Sequence, residues 1–190
     1  MKVSMKIVAM FVATLACQSA LAAAAPPEGA SELQVNRMNK PLSTSIGLAS
    51  AGPAGLGVGV GYSVLPWAKV VGGYSEQTIT TSVSFDSSGN VATGSTKYKS
   101  FAVGAQISVP TWNLTPIGGL NVAHYSVKSD DEGATFQGLK EGSGTLLYST
   151  LGGSWQTHSG YMMDAGVNIP LGGKLQSTAF IDVGWAWDIL

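Results

Sequence analysis

From Leu56 to Val64 the chain reads Leu-Gly-Val-Gly-Val-Gly-Tyr-Ser-Val, which puts Leu56, Val58, Val60, Tyr62 and Val64 on one side of an extended strand. Only Gly57, Gly59, Gly61 and Ser63 fall on the other. The same period of two recurs over Leu42 to Ser50, Lys69 to Thr80, Tyr98 to Val109, Leu114 to Val127, Thr145 to Trp155, Tyr161 to Ile169 and Leu175 to Ile189, which predicts eight strands. The clearest of them give one oily face: Phe101, Val103, Ala105 and Ile107; Tyr161, Met163, Ala165, Val167 and Ile169; Ile181, Val183, Trp185, Trp187 and Ile189. The opposite face is small and polar, with Ala102, Gly104, Gln106 and Ser108; Met162, Asp164, Gly166 and Asn168; Thr178, Phe180, Asp182, Gly184 and Asp188. A soluble sandwich turns its oily face to a core and a transmembrane barrel turns it to lipid, and periodicity alone does not separate the two.

The connections and the aromatic residues favour lipid. Leu65-Pro66-Trp67, Pro110 to Asn113 and Gln156 to Gly160 are tight, whereas Phe85 to Thr96 and Ser129 to Gly144 are long, polar and glycine-bearing. Such alternation of short and long loops suits a barrel with short periplasmic turns, although Ala51 to Gly55 and Pro170 to Lys174 are brief for outside loops. Trp67, Trp112 and Trp155 fall at the tight turns and Trp185 and Trp187 near the end of the last strand, a girdle on the periplasmic side. Tyr74, Tyr98, Tyr125 and Tyr148 fall toward the long loops and are expected at the other boundary.

Composition changes the picture in the same direction. Charged residues make up 11% of the 190 and mean hydropathy is +0.22, against roughly 25% charged in an ordinary soluble domain. Beyond the N-terminus no run approaches the roughly 20 apolar residues of a spanning helix, which leaves a barrel as the membrane fold. Lys2 and Lys6, the apolar run Ile7 to Ala16 and Ala20-Leu21-Ala22 read as a signal peptide over residues 1–22. Thr14-Leu15-Ala16-Cys17 loosely resembles a lipoprotein box, with threonine where leucine is preferred. Cleavage after Ala22 removes the only cysteine, so no disulfide is expected. It also removes Lys2 and Lys6 from 10 basic residues and leaves 11 acidic ones, a net charge of about −3 with no nucleic-acid signature. Residues 23–41 are polar and proline-bearing and read as a flexible periplasmic lead-in that carries Arg37, the only arginine; residues 42–190 form the barrel.

Asp182-Val183-Gly184-Trp185-Ala186-Trp187-Asp188-Ile189 resembles the C-terminal assembly signal of outer-membrane barrels, on Asp182, Gly184, Trp187 and Ile189, with Leu190 as an extra residue after it. From about Leu42 the whole chain resembles the small eight-stranded Gram-negative outer-membrane proteins, the class of the outer membrane protein A transmembrane domain, outer membrane protein X and the opacity-type proteins. The resemblance implies an all-β, closed antiparallel up-and-down transmembrane barrel. Outer-membrane lipids and the barrel-assembly machinery are the partners it implies.

Candidate chemistry is sparse. Gly57, Gly59 and Gly61 precede Tyr62 where a phosphate-binding loop needs its third glycine, and the steric reading, room for larger side chains across a narrow lumen, is preferred. His158-Ser159 near Asp164 hints at a lipid hydrolase, but neighbours on a strand point to opposite faces, so His158 is read as a turn residue and His124 likewise. Asp164, Asp182 and Asp188 are inward carboxylates that need a cation, with Lys69 as the expected mate of Asp188 and with Arg37 or Lys40 able to dock at the same rim. The loop with Asp130, Asp131 and Glu132 lacks the spacing of a calcium site, and Phe136 at its centre is not explained by solvation. No cofactor, metal or catalytic residue is expected. The reading is a non-enzymatic barrel in a Gram-negative outer membrane with a structural or surface-contact role, its outside loops meeting an extracellular ligand or host surface. A narrow cation-preferring channel, a lipid-modifying enzyme and a secreted β-sandwich binding module are the alternatives.

Overall fold

The structure, a computed structural model, describes residues 32–49, 55–85, 91–108, 114–130, 135–136, 139–172 and 176–188. The signal peptide, Cys17, Trp112, Asp131, Glu132 and Ile189 lie outside the described residues. A short helix α1 (Glu32–Asn39) comes first. Strands β1 (Leu42–Leu48), β2 (Leu56–Leu65), β3 (Ala68–Phe85), β4 (Val91–Ser108) and β5 (Thr115–Ser129) follow. After a small hairpin, β6 (Thr135–Phe136) and β7 (Leu139–Lys140), come β8 (Gly142–Gln156), β9 (Tyr161–Pro170) and β10 (Thr178–Trp187).

Eight of these strands close into one antiparallel ring in the order β1-β10-β9-β8-β5-β4-β3-β2. The seam joins first strand to last, from Leu42 opposite Trp187 to Leu48 opposite Ile181, so the ring has no open edge along its membrane-spanning part. Every expected strand is present, and the phase of each face is as the alternation predicts except at Asp188, which lies past the end of β10 and is exposed. Leu56, Val58, Val60, Phe101, Ile107, Val167, Ile181, Val183 and Trp185 are exposed on the outside of the ring, while Ala102, Gln106, Ser108, Met162, Asp164, Asn168 and Phe180 are buried inside it. A sandwich would bury the first group. The outward face is the larger apolar surface and needs hydrocarbon around it.

Three expectations are corrected. The lead-in is not flexible throughout, because Glu32–Asn39 is helical and its Gln34, Asn36 and Arg37 are buried. The expected loop Phe85 to Thr96 is mostly strand, since β3 and β4 stay paired as far as Phe85 opposite Val91. Tyr98 and Tyr148 point inward and are buried, so they do not belong to an outer aromatic belt, whereas Tyr74 is exposed.

Wall height is uneven. β3 and β4 have 18 residues each and β5 and β8 have 15, whereas β2, β9 and β10 have 10 and β1 has 7. A transmembrane strand needs about 9–11 residues, so β3 and β4 overshoot the bilayer at the end away from α1. That end is called the far end below, and the end holding α1 and the tight turns the near end.

Candidate functional site

The inward glycines make the lumen. A Cβ on Gly61 would lie 2.1 Å from Lys69 Cε, and one on Gly47 would lie 2.0 Å from Asp182 Oδ1. Each of these two bare positions is therefore the space in which a charged side chain of the neighbouring strand lies, at Gly61 as the steric reading expects.

At the near end α1 is seated in the mouth of the ring. Arg37 Nη1 donates to Ser108 Oγ on β4 at 3.0 Å, and Nη2 donates to Ser154 Oγ on β8 at 3.2 Å. Ser154 in turn donates to Asp164 Oδ1 on β9. Asn36 donates to the Gln156 carbonyl at 2.7 Å and its Oδ1 lies 2.9 Å from His158 Nδ1. Just outside the mouth Lys40 Nζ meets Asp188 Oδ2 at 2.7 Å.

The expected pairing of Lys69 with Asp188 is therefore incorrect. Asp188 lies beyond the end of β10, exposed, and is held by Lys40, while Lys69 Nζ sits 3.8 Å from the buried carboxylate of Asp164. Strand alternation places a residue on a face but not at a height.

Farther along, Asn121 donates to Thr150 Oγ1, Thr150 donates to Asn168 Oδ1, and Asn168 donates to the Ala49 carbonyl, so a belt of hydrogen bonds crosses β5, β8 and β9 to the end of β1. A cavity of about 50 Å³ remains beside it, lined among others by Lys69, Gln106, Tyr148, Asp164 and Asp182. At the far end Tyr98, Val127, Phe136 and Leu139 form a buried apolar cap. Phe136 is a lid on the lumen, 2% exposed, and as a loop contact candidate it is corrected. Asp130 stays exposed, with its carboxylate on Ser95 Oγ at 2.8 Å.

Trp67, Trp155, Trp185 and Trp187 are all exposed on the outside near the tight turns, with Trp155 edge-on to Tyr161 at 5.7 Å between centroids. Of the C-terminal residues, Gly184 lies against the backbone of Thr44 and Ser45, and Trp187 Nε1 donates to Thr44 Oγ1 at 3.2 Å across the seam. His158 and Ser159 do not meet. The histidine faces Asn36 and the serine hydroxyl faces Thr157. Among the described residues no group of three or more His, Cys, Asp or Glu could hold a metal ion. The sequence reading placed Arg37 or Lys40 at this rim, where both are found, but it carried no signal that Ser108 and Ser154 would be the acceptors of Arg37.

Neither a protein-family model nor a curated protein matches the chain. Among solved structures, the outer membrane protein Ail of Yersinia pestis in a phospholipid bilayer nanodisc is similar at 16% identity and a TM-score of 0.48, over 78% of this chain and 99% of that one. A crystal structure of Ail, the attachment invasion locus protein of the same organism, is similar at 18% identity and a TM-score of 0.43, over 78% and 94%. The closed ring of eight strands, its apolar outer band and its polar lumen make this chain a small transmembrane β-barrel of the outer-membrane type.

Proposed function

We propose that the chain works in a Gram-negative outer membrane as a surface-contact protein, with no catalysis, and that the wall rising at the far end makes the contact. The signal over residues 1–22 exports it, the barrel-assembly machinery reads β10, and outer-membrane lipids surround the apolar band. One observation carries this reading: β3 pairs with β2 only as far as Glu76 opposite Leu56, yet continues to Phe85. Among the described residues the edge from Gln77 onward has no strand beside it. The segment Gln-Thr-Ile-Thr-Thr-Ser-Val-Ser-Phe carries no charge and no proline to blunt that edge. An extended segment of an extracellular protein can add to such an edge through backbone hydrogen bonds. The lumen supports contact over passage, because α1 fills one mouth and the Phe136 cap the other.

Cells displaying the protein are expected to bind immobilised extracellular proteins better than cells without it. Thr78→Glu with Thr80→Lys places charges on the edge and should abolish the gain, while heat-modifiable migration on a gel stays normal. Attachment that survives this double change would remove the edge from the mechanism.

A further inference from the structure

We propose that the near mouth of the barrel is a socket for a guanidinium group, filled in the resting protein by Arg37 and able to exchange it for an arginine-bearing peptide segment offered from the periplasmic side.

The socket is built for a forked cation. Ser108 and Ser154 come from strands on either side of β5 and each accepts from a different arm of the guanidinium, at 3.0 and 3.2 Å. Both serine protons are directed elsewhere: that of Ser154 to Asp164, that of Ser108 to the Trp67 carbonyl. Each hydroxyl therefore presents lone pairs to the arginine. A planar, two-armed donor satisfies both at once, and a compact ammonium does not.

The charge balance points the same way. Lys69, Asp164 and Asp182 line one cavity and leave a carboxylate in excess; Arg37 brings the four charges to neutrality. The lumen thus calls for a second cation at this height, and among the described residues the barrel wall supplies none besides Lys69.

Helix α1 is held as an exchangeable ligand is held. At 8 residues it is shorter than helices that persist alone. The side chains it buries most fully, Gln34, Asn36 and Arg37, are all polar. Their hydrogen bonds can be replaced by water, and among the described side chains of the helix the apolar Val35 and Met38 are only half-buried.

The test uses the mature chain, residues 23–190, folded in detergent micelles. The midpoint of heat-induced unfolding is measured for wild type and Arg37→Ala, each without additive and with methylguanidinium, methylammonium or urea at equal concentrations of tens of millimolar. Methylguanidinium should raise the midpoint of Arg37→Ala by about 3 °C at ten times its dissociation constant, and should leave wild type unchanged or slightly lowered. Methylammonium and urea should not do so. If Arg37→Ala refolds poorly, its refolding yield replaces the midpoint, and a several-fold gain specific to methylguanidinium is expected. In a second arm, a labelled synthetic peptide of residues 32–39 should bind Arg37→Ala and be competed by methylguanidinium. Equal responses to methylguanidinium and methylammonium, or no response in either midpoint and yield, overturn the socket. Rescue by methylguanidinium with no binding of the peptide overturns the exchange.

Discussion

The ring of Phe136 lies flat against that of Tyr98, with centroids 4.7 Å apart and planes 11° apart. Phe136 comes from a two-residue strand in a connection and Tyr98 from the tall part of β4. Together with Val127 and Leu139 they form an apolar plug at the far end of the lumen. Such a stack adds about 1 kcal/mol beyond the area it buries. Phe136→Ala should therefore loosen the hairpin without loosening the ring. Faster hydrogen exchange at residues 135–140 and faster proteolysis there, with an unchanged unfolding midpoint, are the expected results; a fall in the midpoint would show that the cap supports the whole barrel.

Two ion pairs separate buried from exposed charge. Removing one partner of a buried pair typically costs 3–5 kcal/mol, and an exposed pair is worth about 0–1 kcal/mol. Asp164 lies inside the lumen with Lys69 and Ser154, whereas Asp188 lies outside it with Lys40. Asp164→Asn should lower stability in denaturant far more than Asp188→Asn. Similar losses for the two would refute the assignment of Asp164 as the central lumen carboxylate.

Gly61 and Lys69 should be energetically coupled. A methyl at position 61 collides with the lysine stem, as well as approaching Ser43 Oγ at 2.8 Å. Forcing extra carbon into a filled space costs about 1–3 kcal/mol. Gly61→Ala is expected to destabilise the barrel by that order, and by less in a Lys69→Ala background. Equal cost in both backgrounds, measured by a double-mutant cycle, would mean that the lysine does not occupy this space.

Above the apolar band, on the outside of the tall wall, Glu76 meets Lys97 at 2.5 Å and Lys99 at 3.4 Å and accepts from Tyr74. The hydrogen bond from Lys97, then that from Tyr74, hold its carboxyl down to about 2 from an ordinary 4.5. A carboxyl lowered on folding contributes stability above its ordinary value, and that contribution is lost as pH falls through about 2. Glu76 should remain ionised at pH 3 in a nuclear magnetic resonance titration. In Lys97→Ala it should titrate closer to 4.5.

Alternation alone determined the eight barrel strands and which side chains share each face. A side chain's face follows from the parity of its position, so Val58 and Asp164 could be placed outward and inward without any knowledge of their neighbours. The charge scarcity and the tryptophans at tight turns then chose lipid as the apolar partner. Glycine at positions 57, 59 and 61 announced room for larger side chains in a narrow tube, but not that Lys69 would lie against Gly61.

Tertiary structure decided the heights and the partners. Whether Lys69 meets Asp164 or Asp188 depends on the stagger between strands around a closed ring, a relation among distant segments that no local period encodes. The same holds for α1. A polar octapeptide of low helical persistence reads as a mobile leader until a mouth lined by Ser108, Ser154 and Gln156 offers partners for Asn36 and Arg37. Phe136 behaves alike, an apolar residue in a polar connection until Tyr98, far off in sequence, supplies the surface it covers.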